Sequence, residues 1–165
     1  MPETVAEALR LEGITKIYRT GGFGRGKGLK AVNRVNLSIN KGEIFGVVGE
    51  SGCGKSTVAK MVSHLLEPTE GTIYLENKPV RLQSKKELLD YRRKVQMVFQ
   101  DPYSSLNPKK KIRKSVLMPL LSLHDVTKEE ADRKFVQMME RVGIPKRLYD
   151  AYPHEMSGGQ LQRVA

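Results

Sequence analysis

A single cysteine, Cys53, stands in 165 residues, so the chain cannot close an internal disulfide and is no disulfide-stapled scaffold. Tryptophan is absent and aromatic residues make up only 6%, too few for a platform that stacks single-stranded bases. No run approaches the roughly 18 apolar residues that span a bilayer. The opening Met1-Pro2-Glu3-Thr4-Val5-Ala6-Glu7 is acidic and lacks an apolar stretch, which excludes a signal peptide and makes a cytosolic location the default expectation. Acidic residues are also scarce: 18 Asp+Glu face 29 Lys+Arg, for a formal net charge of +11. The excess is concentrated in residues 81–114, which hold eleven Lys/Arg and three Asp/Glu. Such a patch suits either an anionic partner or a solvated face with counterions, and charge alone does not choose between them. The remainder, 39% hydrophobic and 28% charged, is the composition of one globular domain rather than of a collagen-like, low-complexity or disordered chain.

Residues 6–19 and 33–39 read as strands, with Ala31 to Ile39 alternating apolar and polar. A basic glycine-rich stretch, Gly21 to Gly28, lies between them and carries no strand or helix period. Ile44-Phe45-Gly46-Val47-Val48 and Val95-Gln96-Met97-Val98-Phe99 are short apolar runs that predict strands covered on both faces. A helix is expected from Lys55 to about Leu66, stopped by Pro68 and Gly71. Thr72 to Glu76 and Lys78 to Val80 predict a hairpin turning at Asn77. Ser84 with Glu87 three residues on predicts a capped helix through Arg93. After Asp101 the character becomes loops and helices. There Ala131, Phe135, Met138, Met139 and Val142 share one helix face, and the two methionines read as core. The order implies an α/β core followed by a mostly helical segment.

Gly49-Glu50-Ser51-Gly52-Cys53-Gly54-Lys55-Ser56-Thr57 fits G-x-x-x-x-G-K-[ST] at every fixed position, after an apolar run and at the start of a helix. The glycines let successive N–H groups curl inward toward phosphate oxygens, and the helix aims its N-terminus at the same anion. Lys55 is expected on the β- and γ-phosphates and the Ser56 hydroxyl on Mg²⁺. Cys53 and Glu50 fill variable positions. The thiol is either a spectator or, beside a helix start, a reactive group, and Glu50 is not assigned as a base. A second glycine-rich helix start, Met156-Ser157-Gly158-Gly159-Gln160, precedes Leu161 to Ala165. One triphosphate in one chain does not need both elements. In a head-to-tail dimer, the second element of one subunit closes over the nucleotide held by the first element of the other.

With these motifs the sequence resembles the nucleotide-binding subunits of the ATP-binding cassette (ABC) family over essentially its whole length. GESGCGKST stands for the cradle and MSGGQ for the signature, with Met156 where the family most often has Leu. The resemblance implies an α/β P-loop NTPase core of RecA-like type, with an N-terminal antiparallel β-subdomain and a helical subdomain, incomplete at the C-terminus. Residues 1–100 and the final helix are expected to form the β-subdomain and core, and about 101–157 the helical subdomain. It also implies that Gln100 is the Q-loop glutamine, a Mg²⁺ ligand that senses a transmembrane partner. Ser157, Gly158, Gly159 and Gln160 would cap a neighbour's ATP. Tyr18 falls at the position of an aromatic that stacks on adenine, against the alternative of a sheet-face tyrosine. The segment Val98 to Pro108 and the stretch Tyr152 to Gln160 narrow the likeness to ATPase subunits of oligopeptide, dipeptide and nickel importers. The implied function is ATP binding and hydrolysis coupled to import of peptides or similar solutes, from the cytoplasmic face of the inner membrane. The implied partners are permease subunits, a second ATPase subunit and, indirectly, an extracytoplasmic binding protein, with no nucleic acid.

The family's Walker B Asp, the catalytic Glu after it, the D-loop and the switch His are not among these residues. His64, His124 and His154 precede the signature and read as surface or structural groups. Hydrolysis by this polypeptide alone is therefore expected to be very slow or absent. A cassette acting on nucleic acid fits the charge. However, only 57 positions separate Gln100 from Ser157, with no sustained heptads for a chromosome-type coiled coil. A small P-loop kinase would lack Ser-Gly-Gly-Gln.

Overall fold

The computed structural model describes residues 6–19 and 28–165. Most of the glycine-rich basic stretch expected between the first two strands, 21–27, lies outside the described residues. Two compact units divide the chain, residues 1–91 and 92–165.

The first unit is organised by a four-stranded antiparallel sheet in the order β2-β1-β3-β4, formed by β1 (Glu7–Arg19), β2 (Gly28–Asn40), β3 (Glu70–Leu75) and β4 (Lys78–Pro79). Leu11, Ile14, Val32 and Ile73 point from the sheet into one buried cluster, which Met61 of helix α1 (Lys55–Val62) completes. The strand alternation read in 31–39 thus faces a single core. β1 breaks register around Gly13, where Thr15 is buried and its hydroxyl accepts the Arg34 N–H at 3.0 Å. Gly71, at φ +91°, passes so close to this break that a Cβ would lie 2.5 Å from the Glu12 carbonyl oxygen and 2.6 Å from that of Gly13. The expected hairpin forms, and Glu76 and Asn77 both take positive φ (50° and 65°), as a two-residue turn matched to strand twist requires.

Two expectations fail here. Residues 44–48 and 95–99 take no regular secondary structure and join no sheet, and Ile44, Val48 and Val98 are 100%, 96% and 72% exposed. An apolar run of this kind becomes a buried strand only when neighbouring strands take its backbone groups and layers cover both faces. Among the described residues, neither run has such a neighbour. Helix α1 also ends at Val62, four residues before the expected stop, with His64 at φ 53° turning the chain. Helix α2 (Lys85–Lys94) begins with the expected capping pair and sends the buried Tyr91 hydroxyl onto the Val62 carbonyl. Burial in this contact pushes the phenol up to about 12.

The second unit is helical, with α3 (Pro102–Ser105), α4 (Ile112–Leu123), α5 (Lys128–Arg141) and α6 (Gly158–Val164). Two single 3-10 turns, Lys146–Leu148 and Pro153–Glu155, lead into α6. Its core gathers Ile112, Phe135, Met139, Ile144, Leu148 and Leu161. Of the apolar face predicted on α5, Ala131, Phe135 and Met139 are buried, whereas Met138 (45%) and Val142 (36%) are exposed, so the core expectation holds for Met139 and fails for Met138. Arg113 ties the unit together. Its guanidinium pairs with Asp132 of α5 and with Asp150 (Nε to Oδ1, 3.1 Å) and lies 4.7 Å above the Phe135 ring. No helix among the described residues is long and apolar enough to cross a membrane.

Helices α2 and α5 are held at their starts by carboxylates, and this gives them a pH dependence. The Ser84 hydroxyl, then the N–H groups of Ser84 and Gln83, hold Glu87 below its ordinary carboxylate value. The N–H of Thr127 and then its hydroxyl do the same for Glu130. A carboxylate depressed on folding stabilises fully above its unfolded pKa of about 4.3, and the contribution is lost as pH falls through the lower folded value. Circular dichroism at 222 nm should therefore lose helix on acidification from pH 5 to 3. Glu87→Gln and Glu130→Gln, which keep the box but not the charge, should flatten that limb. An acid limb identical in the variants would refute the assignment.

Candidate functional site

Between the end of the apolar run at Val48 and the first turn of α1, residues 49–57 form a tight loop whose glycines are demanded by the backbone. Gly52 and Gly54 take φ +82° and +102°, which L side chains rarely adopt. A Cβ on Gly54 would also lie 2.5 Å from the Ala31 carbonyl oxygen of β2, so the loop is built directly against that strand. A Cβ on Gly49 would meet Cys53 Sγ at 2.8 Å. The Cys53 N–H donates to the Glu50 carbonyl at 3.4 Å, which closes the curl.

Gly54 is the N-cap of α1 and supplies no side-chain cap, and the first turn of the helix carries no acid. The N–H groups of that turn have no carbonyl one turn earlier in the helix, and nothing negative competes for them. Lys55 folds back across the loop. Its ammonium donates to the carbonyls of Gly49 (2.7 Å) and Glu50 (2.6 Å) and lies 3.5 Å from Cys53 Sγ. A single cation is thus held by two carbonyls of the loop, next in sequence to Ser56 and Thr57 that open the helix. These features fit an anion with several oxygens: glycine where a side chain would fill the curl, a lysine held at its mouth, and a helix start without acid or side-chain cap.

A cavity of about 400 Å³ adjoins the loop, lined by Val32, Val35 and Lys30 of β2 together with Val47, Val48, Gly54 and Lys55. Tyr18 pairs with Leu29 on the β1–β2 ladder, two residues before the Ala31 that abuts Gly54. The ring is 38% exposed, and the Lys16 ammonium stands 5.8 Å from its centroid. Cys53 is exposed as a free thiol.

The other expected site residues belong to the second unit. Gln100 is exposed, directly before Asp101, whose carboxylate accepts the Tyr103 N–H (3.0 Å) and caps α3. Ser157 and Gln160 form a reciprocal cap. The Ser157 hydroxyl accepts the Gln160 N–H at 3.3 Å and Gln160 Oε1 accepts the Ser157 N–H at 2.9 Å. Met156 and Leu161 on either side of the cap are both buried in one core, so an apolar residue before the serine staples the helix entry. Gly158 and Gly159 differ from the cradle glycines, because a Cβ on either would meet nothing within 4 Å. No group of three His, Cys, Asp or Glu able to hold a metal ion occurs among the described residues. Sequence reasoning missed Arg113, whose partners lie 19 and 37 residues away and leave no local signal.

Comparison with known proteins agrees with this geometry. Residues 32–165 match the ABC transporter family. The di/tripeptide transport ATP-binding protein DppF of Pseudomonas aeruginosa is 44% identical over 137 residues, 83% of this chain and 42% of that protein. The oligopeptide transport ATP-binding protein AppF of Bacillus subtilis is 41% identical over 160 residues, 94% of this chain and 49% of its own length. The chain thus spans about half the length of the curated relatives it matches. Among solved structures, the ATP-binding cassette MJ0796, in a dimeric post-hydrolysis state with ADP and Pi, superposes with a TM-score of 0.81. It is 31% identical, and the match covers 94% of this chain and 66% of that one. The antiparallel sheet, the lysine-bearing glycine loop and the helical unit that follows are those of the P-loop ATPase core, and the chain belongs to the ABC transporter family.

Proposed function

We propose that this chain is the ATP-binding portion of a peptide importer's ATPase, working at the cytoplasmic face of the membrane. The observation that carries the reading is the loop 49–57, where two positive-φ glycines and Lys55 fix a cationic centre at the start of α1. Gly49, Glu50, Ser51, Gly52, Cys53 and Gly54 contribute backbone to the phosphates, Lys55 its ammonium, and Ser56 and Thr57 the helix start. Ser56 is the proposed Mg²⁺ ligand at the helix start, and Gln100 is proposed as a Mg²⁺ ligand from the family resemblance alone. Tyr18, half-exposed at the end of the ladder nearest the loop, is the proposed adenine platform. Bound Mg²⁺ supplies charge neutralisation at the phosphates.

The signature Ser157-Gly158-Gly159-Gln160 is proposed to face a second ATPase subunit. Its support is the open space at both glycines. Both stand in the first turn of α6, and no packing among the described residues requires a glycine at either position. Bare backbone there suits a surface that must admit a ligand from outside. The permease and an extracytoplasmic binding protein are the further proposed partners, with peptides or similar solutes as cargo, in keeping with what the relatives named above transport. Residues 1–100 with the final helix are proposed as β-subdomain and core, and about 101–157 as helical subdomain.

A fluorescent ATP analogue titrated with and without Mg²⁺ tests the reading. Mg²⁺ should tighten binding to the natural chain by about tenfold, the worth of one charge-assisted ligand contact. Ser56→Ala should abolish that gain while leaving the Mg²⁺-free affinity in place. An analogue that does not bind, or a Mg²⁺ gain that survives Ser56→Ala, overturns it.

A further inference from the structure

On the second unit, one face of α4 is graded along its length. Lys111 precedes the helix, Lys114 follows within the first turn, and Leu117, Met118 and Leu121 continue the same stripe at i, i+3, i+4 and i+7. This stripe floors an open groove of about 770 Å³, and Lys109 and Lys110 stand at the cationic end. Asp150 is the one carboxylate among the lining residues, and it already holds Arg113. The ammonium groups of Lys109, Lys111 and Lys114 have no anionic partner among the described residues. Further along, Met118 is 53% exposed with the Lys110 ammonium 3.9 Å from its sulfur, and Leu121, at the end away from the lysines, is 42% exposed.

The groove breaks two ordinary rules at once. Cations crowd the positive end of a helix that has no acid in its first turn and no side-chain cap, an arrangement the helix dipole disfavours. Large apolar side chains are left in water beside them. A single ligand with one anionic end and one apolar end resolves both. The volume lies in the range that single small molecules occupy. The lengthwise order, cations first and apolar groups after, fits a molecule that is itself polar at one end. Tyr152, on the groove wall, has the amphipathic ring favoured at headgroup depth. We propose that this groove seats the headgroup and upper acyl chain of one anionic phospholipid of the bilayer, giving the chain a direct lipid contact separate from nucleotide binding.

Flotation of the 165-residue chain with vesicles tests the proposal. Vesicles of phosphatidylcholine containing phosphatidylglycerol should capture the chain, and phosphatidylcholine alone should not. Lys111→Gln combined with Lys114→Gln should weaken capture about 20- to 30-fold, as expected for two lysines at an anionic surface. Leu121→Gln should weaken it too, because the chain end of the lipid loses its floor. Soluble glycerol phosphate at millimolar concentration should not displace the vesicles. Circular dichroism melts check that the variants, all at helix surface positions, stay folded. The nucleotide affinity of the double-lysine variant should be unchanged, which keeps this inference separable from the ATP reading. Equal capture by neutral vesicles, full capture of either variant, displacement by glycerol phosphate, or binding of an acidic peptide in preference to anionic vesicles would each overturn it.

Discussion

Replacing Lys55 by alanine should weaken ATP binding by at least about 100-fold, because its ammonium is the one cation in residues 49–57 and would make charge-assisted contacts with phosphate oxygens worth about 1.5–3 kcal/mol each. The loop itself should survive the change. Its shape is set by glycine φ angles, by the Cys53-to-Glu50 hydrogen bond and by the packing of Gly54 on Ala31, none of which involves the lysine side chain. Lys55→Arg serves as the comparison, since it keeps the charge but replaces a compact ammonium with a planar fork too large for two carbonyls 2.6 and 2.7 Å away. Calorimetric titration with ATP is the measurement, and circular dichroism confirms that α1 remains. An alanine variant that binds ATP as the natural chain does would remove the basis of the functional reading.

The largest stability effect is expected at Phe135. The ring is fully buried, meets Tyr149 edge-on at 5.1 Å, and lies under the Arg113 guanidinium. Phe135→Ala removes the ring from a packed site and should destabilise the second unit by about 3–5 kcal/mol. That is a large part of the 5–15 kcal/mol typical of a whole domain. Arg113 adds to the effect. It keeps its carboxylates but loses the apolar face that holds its plane. Phe135→Leu, which fills more of the site but still loses the ring's contacts with Tyr149 and Arg113, should cost less than alanine. Urea unfolding followed by circular dichroism distinguishes the two variants. A shift for alanine no larger than for leucine would contradict this account of the core.

The features legible in the sequence are those whose cause is local. The glycine-lysine loop, the Ser84 and Ser157 caps, the turn at Asn77 and the buried stripe of α5 each depend on residues within a few positions of one another. The runs at 44–48 and 95–99 are different. Their composition is that of covered strands, yet what makes a strand is a neighbour, and the described residues provide none. Helix α4 was not individually legible, because Pro119 stands inside it and normally ends a helix. Arg113 looked like one more charge in a basic patch, and only the fold brings Asp132, Asp150 and Phe135 around it. Within the candidate site, the residue types of 49–57 were readable. The hold of Lys55 on the loop's own carbonyls was not, since it depends on a side-chain conformation.

That hold has a consequence for selectivity. A cation already satisfied by two oxygens is won by exchange rather than by simple attraction, so an incoming anion must return at least two good contacts for those it displaces. Chloride, a single acceptor atom, has little to offer beyond one. A chain of linked phosphoryl groups can meet the lysine with one member and the amides of the helix start with another. The resting arrangement therefore acts as a threshold: a monatomic anion falls below it, and polyphosphates rise above it.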